Sequence, residues 1–316
     1  MGKRRNKVKG NLAYYHLMSR TVNGEAFFGN REKEVLRKMI WQVCGFSGVR
    51  VITYAVMKNH FHLFVEVPEQ DRFVTDEEIV RRYRLLYPKP TPYQPMPAEI
   101  LAHHLKENLH EGRQLREGLL RRMHDISWLM KTLKHRFSFW FNRSQDRFGP
   151  VWSERFKSVL VEGDKWALRT VAAYIDLNAV RAGLVEDPKD YRFCGYAEAL
   201  GGSKLARNGL MVVDRDLAGY RQTLYGSGAD PREGKGAISR EEALKVLRTE
   251  KGKLPISVVL RCRLRYITDG VIIGSEDFVS SRLKEMGDLR KNPKPMKGAE
   301  WGGLSVAAGL HKDLFG

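Results

Sequence analysis

The chain has 316 residues, 42% of them hydrophobic, enough apolar material for a folded core and an argument against a chain disordered throughout. Fifty-five Lys and Arg against 37 Asp and Glu leave a net charge of +18, which points to a polyanionic partner, nucleic acid ahead of an anionic membrane surface. No run approaches the roughly 18 apolar residues of a membrane helix, no apolar stretch follows the basic N-terminus as in a secretory leader, and three scattered cysteines, Cys44, Cys194 and Cys262, suit the reducing cytoplasm better than a disulfide framework or a cysteine zinc site.

Residues 12–20 (LAYYHLMSR) are rich in aromatics and predict a strand. Residues 31–44 carry Val35, Leu36, Met39, Ile40 and Val43 at helical spacing, with Gly45 and Gly48 to end the helix. Residues 49–67 hold two β-rich runs around Lys58-Asn59, which predicts a hairpin. Beyond Pro68 the pattern dissolves into a charged, proline-rich stretch to residue 98, followed by helical spacing over 99–123; about 68–123 reads as an insertion. Residues 127–143 predict an amphipathic helix with Leu129, Leu133, Phe137, Trp140 and Phe141 on one stripe. Residues 155–161 predict a strand, and 164–181 a helix capped by Asp164 and ended by Gly183.

This order predicts an α+β protein with a ferredoxin-like β-α-β-β-α-β core, an antiparallel sheet and one added helix. The core is expected to fill residues 1–200. Residues 201–316 are expected to form a Gly-rich, loop-like linker over 201–237 and a mostly helical extension, with short helices around 239–249, 256–264 and 275–286.

Two groups of residues carry chemistry. His60 and His62 flank Phe61 on the second hairpin strand, so both imidazoles project from one face while Phe61, Leu63 and Val65 take the other. Two neutral imidazoles on a rigid strand suit a divalent metal; a hydrogen-bonded structural pair explains H-x-H as well. Tyr174 and Asn178 lie four residues apart on a helix, so a phenol and an amide point the same way. Taken alone, that pair reads as a tyrosine packed on the sheet and an asparagine near a helix end. Taken with the histidines it reads differently: a phenol, which titrates near about 10, needs a cation on the phosphate oxygens to act as a nucleophile.

MKNHFHLFVEV (residues 57–67) resembles the M-x-N-H-x-H-L-hydrophobic signature of the single-tyrosine HUH transposases, and YIDLNAVRAGLVEDPKDYRF (174–193) resembles their tyrosine-helix signature. FGPVWSERFKSVLVE (148–162) is similar to the stretch preceding that helix, and RYITDGVIIGSEDFV (265–279) to an extension in some members. The resemblance is greatest to the REP-associated tyrosine transposases, which act on short palindromic hairpins. It implies His60, His62 and Asn178 as ligands of Mg2+ or Mn2+, and Tyr174 as the nucleophile of a DNA nicking and joining enzyme with a covalent 5′-phosphotyrosine intermediate. Ala179 stands where proline is usual, Asp176 where histidine is common, and FCGY (193–196) where W-S-S-Y is frequent.

The expected partner is single-stranded or hairpin DNA, with no membrane, bound by a monomer or homodimer. Arg155 and Lys157 before the tyrosine helix, Arg181 after Asn178, and Lys131, Lys134 and Arg136 among aromatics are candidate DNA contacts, because single strands favour basic grooves with stacking platforms. Arg4 and Arg5 belong to a basic N-terminal arm. A catalytically silent DNA-binding protein that recognises such repeats is the competing expectation.

Overall fold

The computed structural model describes residues 7–8, 10–69, 74–92, 94–107, 109–225, 267, 270–286, 293–296 and 303–308. Strand β1 (Ala13–Arg20) lies between β3 (His60–Val67) and β4 (Lys157–Val161), antiparallel to both, and β2 (Arg50–Val56) pairs antiparallel with β3. Helix α1 (Asn30–Ser47) connects β1 to β2, and α5 (Ile126–Ser144) leads from the segment after β3 into β4. The strand order β2-β3-β1-β4 with these two helices is the ferredoxin-like core the sequence predicts. Helix α1 runs through Gly45 and stops at Gly48, whose φ of +66° suits the left-handed residue that closes a helix.

The sheet has two unlike faces. Phe61 meets Trp152 with ring centres 5.5 Å apart, Trp152 meets Phe137 of α5 at 5.6 Å, and Trp41 of α1 meets Tyr54 at 6.2 Å. These contacts put α1 and α5 on the apolar face. By the period of two, His60, His62 and Phe64 point to the opposite face, with Met18 and Ala55 beside His62 on the neighbouring strands. That face is covered by α6 (Lys165–Asp176), whose first turn is capped by the Asp164 carboxylate accepting from Trp166 and Ala167 N–H.

The single helix expected over 164–181 is in two pieces: α6 ends at Leu177, and α7 (Asn178–Arg181) follows. The stretch 68–98 also departs from expectation. It contains α2 (Asp76–Leu86), capped by Thr75, which buries Ile79, Val80, Tyr83 and Leu86 and packs against α1; the prolines sit after it rather than in it. Helices α3 (Ala98–Glu107) and α4 (His110–Leu120) complete the insertion and pack against α2.

After α7, α8 (Gly195–Leu200) and α9 (Lys204–Leu210) cover the outer edge of β2, where Ala55 bridges Cys194. A β-carbon at Gly209 would collide with the Val51 carbonyl oxygen, so a glycine permits this close approach. Residues 201–237 were expected to be loop-like; α9 and α10 (Leu217–Tyr225) lie there, because Gly209 and Gly219 mark close packing and not loops. Of the expected later helices, 275–286 corresponds to α11 (Glu276–Glu285), while 239–249 and 256–264 fall outside the described residues. The described extension adds strands to its helices: β5 (Gly270–Gly274) pairs parallel with β4, and β7 (Ser305–Ala308) joins β5 to β6 (Lys294–Pro295). Among the described residues the sheet therefore runs β2-β3-β1-β4-β5-β7-β6. No described helix is long and apolar enough to cross a membrane, and Cys44 and Cys194 are buried and unbridged.

Candidate active site

Pairing of β1 with β3 sets Arg20 opposite His60 and Met18 opposite His62, at the end of the sheet where β4 starts with Lys157. Helix α6 lies over this end. The ring of Tyr174 stands nearly perpendicular to that of His62 with centres 5.7 Å apart, and 6.0 Å from that of His16. The His60 and His62 rings are 5.1 Å apart. At the start of α7, Asn178 donates through Nδ2 to the Tyr174 carbonyl at 3.2 Å, and its Oδ1 accepts from Arg181 Nη2 at 3.2 Å. The Arg181 guanidinium lies 4.1 Å over the Tyr174 ring. One chain of contacts thus joins the two histidines, the tyrosine, the amide and an arginine.

The tyrosine helix is held by Asp176, whose carboxylate is fully buried. It accepts from Thr53 Oγ1 on β2 at 2.8 Å, from Tyr220 OH on α10 at 2.6 Å and from the Tyr196 backbone N–H on α8 at 3.1 Å. Burial raises its pKa to about 6 against the opposing pull of these donors.

The histidines are neutral at physiological pH. Burial, assisted by the Arg20 charge, pushes His60 down to about 4. Burial first, then His16, His60 and Arg181, holds His62 well below the usual imidazole value. Both rings have Nδ1 engaged: His60 with Asn59 Oδ1 at 2.7 Å, His62 with His16 Nε2 at 2.9 Å. Their Nε2 atoms remain as donors to a metal. Among the described residues no group of three or more His, Cys, Asp or Glu is gathered to hold an ion. The candidate third ligand from the sequence, the Asn178 amide, follows Tyr174 at the start of α7. Two neutral imidazoles and an amide fit a divalent cation that keeps open positions. Nε and Nη1 of Arg181 are buried without an acceptor, so two guanidinium nitrogens beside the phenol have nothing to donate to.

The other basic residues divide by face. Lys157 and Arg155 are exposed at the sheet end that bears His60 and Arg20. Lys131, Lys134 and Arg136 sit on α5, on the opposite face of the sheet from His62. Lys131 lies over the Trp128 ring at 4.6 Å, Lys134 donates to the Glu154 carbonyl at 2.7 Å, and Arg136 stacks on Tyr87 at 5.5 Å. The structure does not bring these three to the histidines. Arg4 and Arg5 lie outside the described residues.

Residues 9–81 match the family model described as "Transposase IS200 like". No curated protein matches the chain. Among solved structures, a match described as "Structure of the REP associates tyrosine transposase bound to a REP hairpin" is 16% identical, covers 65% of this chain and 90% of that one, and has a TM-score of 0.37. The matched segment runs from β1 into α2 and so contains His16, Asn59, His60 and His62; Tyr174, Asp176, Asn178 and Arg181 lie beyond it.

Sequence reasoning missed two residues of this region. His16 was hidden because strand register is invisible in one sequence; only pairing of Met18 with His62 shows that His16 shares their face. Asp176 stood out only as a departure from the histidine common in the tyrosine transposases, with no sign of the three donors it collects.

Proposed function

We propose that the protein is a single-stranded DNA endonuclease and strand transferase of the transposase kind, acting on hairpin-forming repeat DNA. The observation that carries the reading is Tyr174 packed against His62 at 5.7 Å, with Asn178 and Arg181 on the same side. In the proposed reaction the Tyr174 phenolate oxygen bonds to phosphorus. The bond from phosphorus to the 3′ oxygen breaks, that oxygen leaves with the electron pair and gains a proton as a 3′ hydroxyl, and the 5′ phosphate stays on the tyrosine. A second 3′ hydroxyl reverses the step, and the ester conserves the bond energy, so no nucleotide cofactor is needed. Mg2+ or Mn2+, held by His60, His62 and Asn178, would supply positive charge to the non-bridging oxygens. Arg181 fixes the Asn178 amide through Nη2, and its Nε and Nη1, which lack an acceptor without DNA, would donate to the phosphate. Arg155 and Lys157 would guide the strand to this sheet end, and a chain with +18 net charge would bind with strong salt dependence.

One observation favours a second reading, a DNA-binding protein without catalysis: the Tyr174 ring is only 3% exposed and Arg181 covers it. A single experiment separates the two. Labelled hairpin-bearing single strands are incubated with the protein and Mn2+ and resolved on a denaturing gel. The transposase reading expects a protein-linked band, lost in Tyr174→Phe while hairpin binding persists. Hairpin binding with no cleavage by the wild type supports the second reading, and an adduct formed by Tyr174→Phe overturns the assignment of the nucleophile.

A further inference from the structure

Both candidate metal-binding histidines are backed by a side chain that itself ends on a main-chain carbonyl. Asn59 donates through Nδ2 to the Gly24 carbonyl at 2.9 Å, and its other amide atom, Oδ1, meets His60 Nδ1 at 2.7 Å. His16 Nδ1 meets the Ile267 carbonyl at 3.2 Å, and its Nε2 meets His62 Nδ1 at 2.9 Å. A carbonyl oxygen can only accept. The first chain therefore turns the Asn59 amide so that its oxygen faces His60, and that oxygen can only accept as well, which places a proton on His60 Nδ1. In the second chain the Ile267 carbonyl requires a proton on His16 Nδ1. A neutral imidazole carries one proton, so His16 Nε2 is a bare acceptor and His62 Nδ1 must carry the proton that joins them. In each case the remaining nitrogen, Nε2, is left as a lone pair.

We propose that Asn59 and His16 are positioning residues that set the tautomers of His60 and His62, so that both present unprotonated Nε2 atoms to a divalent cation. The proposal rests on the metal reading above and deepens it. Two features support it. His16 is wholly buried at 0% exposure, where an imidazole without a functional or hydrogen-bonding reason is costly. The ring planes of His16 and His62 lie within 26° of each other with centres 5.0 Å apart, which fixes the orientation of the ligand ring as well as its proton. A backing hydrogen bond of this kind fixes ring orientation and raises ligand basicity; losing one typically costs about 10–100-fold in metal affinity. The second chain has a further consequence: Ile267 belongs to the region after residue 200, so the extension reaches the site through one carbonyl.

The test uses the full chain labelled with 15N-histidine. Long-range proton–nitrogen correlation spectra of the metal-free protein read which ring nitrogen carries the proton, and titration with Mn2+, followed by electron paramagnetic resonance, reads affinity without any DNA. The expected result is Nδ1-protonated His16, His60 and His62 in the wild type. His16→Leu is expected to move the His62 proton toward Nε2 and to weaken Mn2+ at least tenfold while the His60 tautomer stays as it was. Asn59→Leu is expected to do the reverse. His16→Gln, whose oxygen can reach the place of Nε2, is expected to restore most of the affinity; it also guards against a variant that merely fails to fold. Protonation of His60 or His62 at Nε2 in the wild type overturns the proposal, as does undiminished Mn2+ affinity in both leucine variants. A wild type with the expected tautomers but no affinity for Mn2+ would leave the relays standing and sink the metal reading.

Discussion

Removing the Asp176 carboxylate should destabilise the protein more at pH 5 than at pH 8. In the folded chain this group accepts from Thr53 Oγ1 at 2.8 Å, Tyr220 OH at 2.6 Å and the Tyr196 N–H at 3.1 Å, and Thr53 and Tyr220 are 1% and 0% exposed. Alanine leaves these donors facing a dry space. At about 1–3 kcal/mol for each buried group left without a partner, and with some local rearrangement, the loss is about 3–5 kcal/mol when the carboxyl is protonated. The charge acts in the opposite sense. Burial raises the folded-state pKa from 3.8 to about 6. A group raised on folding contributes stability that is fully present below its unfolded value and is lost as pH rises through the folded one. Between pH 5 and pH 8 that contribution falls by about 1.4 kcal/mol, one pKa unit's worth. The penalty of Asp176→Ala should therefore shrink by that amount over the same interval. Urea unfolding of wild type and variant at the two pH values measures it, and the buried histidines, present in both, cancel. Asp176→Asn, which keeps an acceptor and has no charge, should cost less than Asp176→Ala at pH 5. A penalty for alanine that is flat in pH, or larger at pH 8, would refute the reasoning.

Two other outcomes follow from the same site. His60 is held down to about 4 and His62 is held well below the usual value, both mainly by burial, so both resist protonation where an exposed imidazole would charge. Mn2+ affinity measured by titration should then be nearly equal at pH 6 and pH 8, whereas two ordinary exposed histidines would lose more than about tenfold at pH 6. Arg181→Ala should slow adduct formation in single-turnover assays by about 10²–10³-fold, the usual cost of removing a donor aimed at developing phosphate charge. Arg181→Lys should recover little of it, because an ammonium cannot bridge the Asn178 oxygen, the Tyr174 face and a phosphate at once. Equal rates in wild type and Arg181→Ala would remove Arg181 from the mechanism.

Much of the core was legible because its signals are local. The alternation of His60 and His62 with Phe61, Leu63 and Val65, the helical spacing from Val35 to Val43, and Asp164 as a cap all follow from periods of 2.0 and 3.6 and from one side-chain hydrogen bond. What stayed hidden is relational. The β1–β3 register places His16 behind His62, yet His16 and His62 lie 46 positions apart. Helix α2 was obscured by the prolines that follow it, since its apolar residues, Ile79, Val80, Tyr83 and Leu86, occupy a narrow stripe in a charged segment. Helix α9 was obscured by Gly209, which in one sequence looks like a loop residue and in the fold is the point where a helix rests on the Val51 carbonyl. The lysines of α5 were grouped with the site by proximity in sequence, but α5 lies across the sheet from it.

The division of the sheet into two faces explains why the polar side needs support from so far along the chain. On the face of α1 and α5 the contacts are apolar and non-directional, so Phe61, Trp152 and Phe137 can pack with many neighbours. On the other face His16, His62 and Asp176 are almost wholly buried, and buried polar groups are tolerated only when each hydrogen-bonding atom has a partner. The strands supply only some of these partners, through Thr53 for Asp176 and the bond between His16 and His62. The rest come from α8 and α10, through Tyr196 N–H and Tyr220, and from Ile267. The part of the chain beyond residue 190 therefore cannot be an independent appendage: it satisfies the polar atoms that let the tyrosine helix and the histidine strand face each other.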